Sequence, residues 1–174
     1  MLIRFDKIPP QGLAFEIVDQ SWFPGHELKH HGTPRAQVTL DRDGERVIFA
    51  GSLEAMVELV CDRCLESYRW PLSSRFSLNL EVAPAIAEEQ AEGEREHSCR
   101  VEEMDTVYLT EDLVDVTDLL AQQFYLSLPF KHLCREECRG LCPGCGADLN
   151  RGDCRCAKEA GSSPFAVLRN WKSS

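Results

Sequence analysis

Eight of the nine cysteines in this 174-residue chain come in close pairs, and their spacing restricts the fold more than any other feature. Cys61 and Cys64 have two residues between them, as do Cys142 and Cys145; Cys134 and Cys138 have three, Cys154 and Cys156 one. Two thiolates in a Cys-x-x-Cys pair can turn back on one metal ion, because the knuckle between them aims both sulfurs and several backbone N–H groups inward. Gly146 suits such a knuckle, since glycine adopts positive φ without steric cost. Cys142, Cys145, Cys154 and Cys156 make the more compact four-thiol set, and the eight residues from Gly146 to Asp153 are long enough for a small returning hairpin. Cys134 and Cys138 could meet Cys61 and Cys64 in a second tetrahedral site that staples the tail to the preceding domain. Spacing alone leaves the pairing open. Mixed combinations remain, and a Cys-x-Cys pair on one metal is uncommon enough that Cys154 and Cys156 need not both ligate.

The chain has no stretch near the ~18 consecutive apolar residues of a membrane span. Its start, Met1-Leu-Ile-Arg-Phe-Asp, lacks a signal-peptide pattern, so a cytoplasmic protein is expected. In a reducing compartment paired cysteines are metal ligands more often than disulfides, which predicts one or two structural zinc ions. Cys99 reads as a small buried hydrophobe or a free thiol. Net charge is −10. Residues 84–120 hold 12 acidic and 2 basic side chains, residues 1–83 hold 12 and 9, and residues 121–174 hold 5 and 8. Nucleic-acid binders usually show a basic stripe. Direct binding to naked RNA is therefore doubtful.

Hydrophobic patterning predicts an α+β fold: mainly an antiparallel β meander, one covering helix, and a cysteine-rich zinc-knuckle appendage. Residues 1–83 read as the β domain. Gln37–Asp41 and Arg46–Ala50 flank a hairpin signal at Asp43-Gly44. Leu53–Val60 places Leu53, Ala55, Val57 and Leu59 on one face, the 61–64 knuckle makes the turn, and Ser67–Trp70 leads back. Arg75–Val82 alternates, with Phe76, Leu78, Leu80 and Val82 facing in. Residues 84–103 read as an acidic linker and 104–130 as a strand and helix packing on the β domain. The helix begins at Asp115, with Asp115 or Thr117 as cap, buries Val116, Leu119, Leu120 and Phe124, and stops at Pro129. Residues 131–174 form the zinc-binding tail, in which Ser163–Trp171 has the proline start of a short helix.

Catalysis has no visible home in the sequence. His26, His30 and His31 lie among Pro24, Gly25, Gly32 and Pro34, the composition of a surface loop. A redox Cys-x-x-Cys normally opens a helix, where the dipole lowers its thiol pKa, whereas Cys61 and Cys64 fall in an expected β-turn. No nucleophile motif, phosphate loop or dinucleotide fingerprint occurs. The alternative to a non-enzymatic protein is a redox or metal-dependent enzyme using Cys61 and Cys64.

Four segments together resemble one family: Val60-Cys-Asp-Arg-Cys-Leu-Glu66; Asp115-Val-Thr-Asp-Leu-Leu leading into Leu126-Ser-Leu-Pro-Phe-Lys131; Cys138-Arg-Gly-Leu-Cys-Pro-Gly-Cys-Gly-Ala-Asp-Leu-Asn150; and Pro164-Phe-Ala-Val-Leu168. In that order they are similar to the bacterial YceD family, over most of the chain from about residue 35. The resemblance implies a non-enzymatic ribosome-biogenesis factor supporting accumulation of 23S rRNA and large-subunit assembly. It also implies that the C-terminal cysteines belong to one branch of the family rather than to its shared function. With net charge −10, the expected partner is a large-subunit ribosomal precursor or a basic ribosomal protein, with no membrane involved.

Overall fold

A computed structural model describes residues 1–83, 105–154 and 156. The chain divides into two compact units, Met1–Leu59 with Ser67–His132, and Val60–Glu66 with Leu133–Ser174. In order the elements are Leu2–Arg4 (β1), Leu13–Ile17 (β2), Lys29–His30 (β3), Arg35–Asp43 (β4), Arg46–Val60 (β5), Ser67–Val82 (β6), Thr106–Leu109 (β7), Leu113–Asp115 (β8) and Val116–Leu126 (α1). The protein is mostly β with a single helix among the described residues, followed by the cysteine-rich region. The acidic linker and the Ser163–Trp171 helix expected from the sequence lie outside the described residues.

The larger sheet of the first unit runs in the order β2-β4-β5-β6-β7, with β3 also pairing β5. Its hairpin between β4 and β5 turns at Gly44, φ +66°, with Asp43 opposite Arg46. Arg46–Ala50 and Leu53–Val60 are one strand rather than two, because Gly51 and Ser52 keep the ladder going opposite Val38 and Gln37. Ser67–Trp70 and Arg75–Val82 likewise fuse into the 16-residue β6. Pro71, which cannot donate to a ladder, lies in the part of β6 that β7 does not pair. β2, β3, β4 and β5 pair antiparallel, as expected for residues 1–83; the strand expected in 104–130, β7, runs parallel to β6, Asn79 to Val82 opposite Thr106 to Leu109. A parallel neighbour needs a long crossover, and residues 83–105 supply the length. A second, two-stranded sheet pairs β1 with β8.

Period-two alternation builds the core. On β4, Ala36, Val38 and Leu40 are buried between exposed Arg35, Gln37, Thr39 and Asp41. From β5 come Val47, Phe49, Leu53, Val57 and Leu59, and from β6 Leu72 and Leu80. Val82, expected inside, is 40% exposed because it ends its strand beyond the packed centre. Asp115 caps α1, its carboxylate accepting from the N–H groups of Thr117 and Asp118. Val116, Leu119, Leu120 and Phe124 form its buried stripe, as the 3.6-residue period requires. Phe124 meets Phe23 and Trp22 edge-on, at centroid distances of 5.0 and 6.3 Å. Truncating such a ring leaves a cavity that rigid neighbours refill poorly. Phe124→Ala is expected to lower stability by about 3–5 kcal/mol. Denaturant titration of the intact chain measures the loss.

Candidate metal centre

The second unit contains two knuckles with the same backbone geometry. In the first, Leu65 N–H donates to the Cys61 carbonyl at 2.9 Å and Cys61 N–H donates to the Glu66 carbonyl at 3.0 Å. In the second, Gly146 N–H donates to the Cys142 carbonyl at 2.8 Å and Cys142 N–H donates to the Ala147 carbonyl at 2.8 Å. The residue after the second cysteine is left-handed in both, Leu65 at φ +60° and Gly146 at φ +73°. Glycine takes that conformation freely, while a leucine there is strained. The first knuckle joins β5 to β6, and its cysteines therefore sit in a turn between strands rather than at a helix start.

Each knuckle meets a second pair of cysteines. Cys61, Cys64, Cys134 and Cys138 form one group and Cys142, Cys145, Cys154 and Cys156 the other, with all sulfurs of a group within 4.8 Å of one another. A tetrahedral ion with Zn–S bonds of about 2.3 Å holds its sulfurs about 3.8 Å apart. The Cys61–Cys138 and Cys64–Cys134 sulfurs are separated by 3.8 and 3.7 Å. Cys142 and Cys154 are closer, at 3.1 Å. The donor set is all sulfur and the two distances in the first group match a tetrahedral thiophilic ion, while Cys142 and Cys154 would have to part by about 0.7 Å to do so; both groups could hold metal ions.

Side chains outside the two groups support the first one. Arg63, inside its knuckle, donates to the carbonyls of Cys138 at 2.9 Å and Glu136 at 3.2 Å. The Arg63 carbonyl accepts from Leu141 N–H at 3.0 Å. Gly140 makes that approach possible: a Cβ there would lie 2.9 Å from the Arg63 carbonyl oxygen. Asn150 donates to the Cys138 sulfur at 3.4 Å and accepts from Arg139 N–H at 2.8 Å. Arg151 pairs with both Glu66 and Asp148. Sequence reasoning missed Arg63 and Asn150 as supports. Nothing in their spacing reveals which sulfur a neighbouring donor reaches.

Charge within each group is uneven. Burial pushes the Cys61 thiol up, but N–H groups of Cys134, Cys64 and Arg63 outweigh it and bring the pKa down to about 6. The Cys154 thiol and the N–H groups of Cys145 and Gly144 lower Cys142 to about 6 as well. Burial among the other thiols pushes Cys134 up to about 12, and the neighbouring Cys145 does the same to Cys156. Each group thus combines a ready thiolate with thiols that must lose protons before they ligate. Metal entry would displace those protons, so affinity falls in acid.

The remaining sequence candidates go elsewhere. His30 lies in β3 rather than in a loop, because it pairs with Val57 of β5, and its ring packs edge-on against Phe23 at 4.8 Å. His31 meets Glu58 at 3.3 Å and His26 meets Glu27 at 3.4 Å. Neither cysteine group includes a histidine. Cys99 lies outside the described residues.

A family model described as large ribosomal RNA subunit accumulation protein YceD matches residues 49–172, a span that includes both cysteine groups. The chain belongs to the YceD family. One YceD relative is the chloroplastic large ribosomal RNA subunit accumulation protein YCED homolog 1 of Arabidopsis thaliana. It is 26% identical over 157 residues, covering 80% of this chain and 49% of that protein. Uncharacterized proteins of Mycobacterium tuberculosis and Mycobacterium bovis are 31% identical over 105 residues, covering 60% of this chain and 46% of theirs. This YceD chain spans about half the length of the curated relatives it matches. No solved structure matches it.

The matched knuckles make a paired prediction. Gly146→Leu is expected to destabilise the second knuckle by about 1–2 kcal/mol, the strain of a left-handed β-carbon. Leu65→Gly removes the same strain and is expected to be neutral or stabilising. Chemical denaturation of both variants, followed by thiol accessibility, distinguishes them. Equal losses in both would refute the shared geometry.

Proposed function

We propose that this chain is a non-enzymatic factor supporting accumulation of the large ribosomal RNA, with zinc held structurally by two all-cysteine sites. The observation that carries the zinc reading is the pair of four-thiol groups on matching knuckles. Four protein ligands leave no open position for substrate or water, which is the arrangement of structural rather than catalytic zinc. The family name supports the ribosomal role. No helix of the described residues is long and apolar enough to cross a membrane. Cytoplasmic action is part of this proposal.

When bound, zinc supplies cross-links between segments far apart in sequence. The residues do the rest: the knuckles present sulfurs and N–H groups, and Arg63 and Asn150 fix the Cys138 segment. Elemental analysis is expected to return two zinc ions per chain by this reading, and Cys61→Ser to remove one of them. Chelation should loosen residues 134–156 while strand signals of the first unit persist, because the latter has its own hydrocarbon core. Hydrogen exchange before and after chelation measures both.

The partner favoured by charge is a basic ribosomal protein or a large-subunit precursor particle. Net charge of −10 opposes phosphate contact at long range. Filter binding at physiological salt is expected to show weak affinity for naked rRNA fragments and tighter binding to precursor particles. Submicromolar binding to free RNA would overturn this choice of partner. Depletion of the protein should lower 23S rRNA relative to the small-subunit RNA, and an unchanged ratio would overturn the ribosomal role.

A further inference from the structure

We infer that the two cysteine groups differ in their response to oxidants, and that a peroxide opens the second, Cys142, Cys145, Cys154 and Cys156, before the first. The inference rests on the metal reading above and goes beyond it by assigning the two sites different lifetimes. In the first group Cys61, Cys64 and Cys138 are 0%, 4% and 3% exposed, and Cys134 is half-buried. In the second, Cys145 and Cys156 are exposed and Cys154 is half-buried, leaving Cys142 as its buried member. Oxidation of a thiolate follows its exposure and its electron density. In the first group Asn150 also donates to the Cys138 sulfur. Arg63 and Leu141 fasten the backbone around the same group.

The chemistry balances within the second group. The exposed sulfur of Cys145 or Cys156, a thiolate once it ligates the ion, attacks hydrogen peroxide, breaks its O–O bond and becomes a sulfenic acid as hydroxide leaves. A second thiolate of the group attacks that sulfur and expels another hydroxide. One S–S bond forms and two electrons pass from the sulfurs to the peroxide oxygens. All four sulfurs lie within 4.8 Å of one another, and Cys142 and Cys154 are only 3.1 Å apart, so little movement is needed. A divalent ion losing two of its four ligands would leave with its charge unchanged. The first group would keep its ion. A thiol reductant with fresh zinc would restore the second site.

The experiment treats the full chain, purified under reducing conditions and desalted, with hydrogen peroxide. A chromogenic chelator follows zinc release and peptide mapping locates disulfides. The expected result is release of one zinc of two, disulfides confined to Cys142, Cys145, Cys154 and Cys156, and recovery with reductant and zinc. Simultaneous loss of both ions, earlier oxidation of Cys61, Cys64, Cys134 and Cys138, or resistance of both groups overturns the inference. Zinc content before treatment tests the metal reading by itself. If the protein carries no zinc, the peptide maps still report which group oxidises first, and equal oxidation of the two overturns the inference.

Discussion

Sulfur does in the second unit what hydrocarbon does in the first, and the difference follows from how little apolar surface the second unit can remove from water. Apart from Gly140, every described residue of that unit that is fully buried is a cysteine: Cys61, Cys64, Cys138 and Cys142. Buried thiols contribute modestly as small hydrophobes. Brought within 4.8 Å of one another and ionised, they repel. A cation at the centre of each group would turn that repulsion into attraction. By the proposed zinc reading the fold of the second unit would be conditional on an ion, whereas Leu40, Phe49, Leu80 and Phe124 hold the first unit by burial.

The elements with strong local signals were legible in the sequence. Asp43-Gly44 marked the hairpin, and Asp115, Val116, Leu119, Leu120 and Phe124 marked the helix with its cap and buried stripe. Elements that depend on distant partners were not. The parallel pairing of β7 with β6 is decided by where the intervening chain returns, and no residue of Thr106–Leu109 announces it. The strand Leu2–Arg4 is too short to show a period and exists because Leu113–Asp115 lies beside it. The sulfur groups show the same division. The knuckle at Cys142 was plain from its glycine, while the partners of Cys61 and Cys64 lie some seventy residues away.

Leu65 shows a limit of a different kind. Its knuckle has the hydrogen-bond pattern of the one at Cys142, yet leucine occupies the left-handed position that glycine fills there. The pattern of cysteines fixes the backbone, and the backbone then imposes strain on whichever residue follows. Sequence propensity would read that leucine as an ordinary strand or helix residue. It is neither, because the inward turn of two sulfurs outweighs a local preference of about 1–2 kcal/mol.

The two groups also differ in how much chain each must gather, which bears on the order in which a growing polypeptide can assemble them. Cys142 and Cys154 are 12 residues apart, whereas Cys61 and Cys138 are separated by 77. Closing the longer span in a flexible chain costs roughly 1.5 kcal/mol more. During synthesis the knuckle at Cys61 emerges first, with half of its group, while the rest of the sheet and the helix are still to be made. The group at Cys142 is complete as soon as the short segment from Cys142 to Cys156 has been made. Closure of the first group therefore records that the sheet, the helix and the segment up to Cys138 have all been made, and the second reports only on itself.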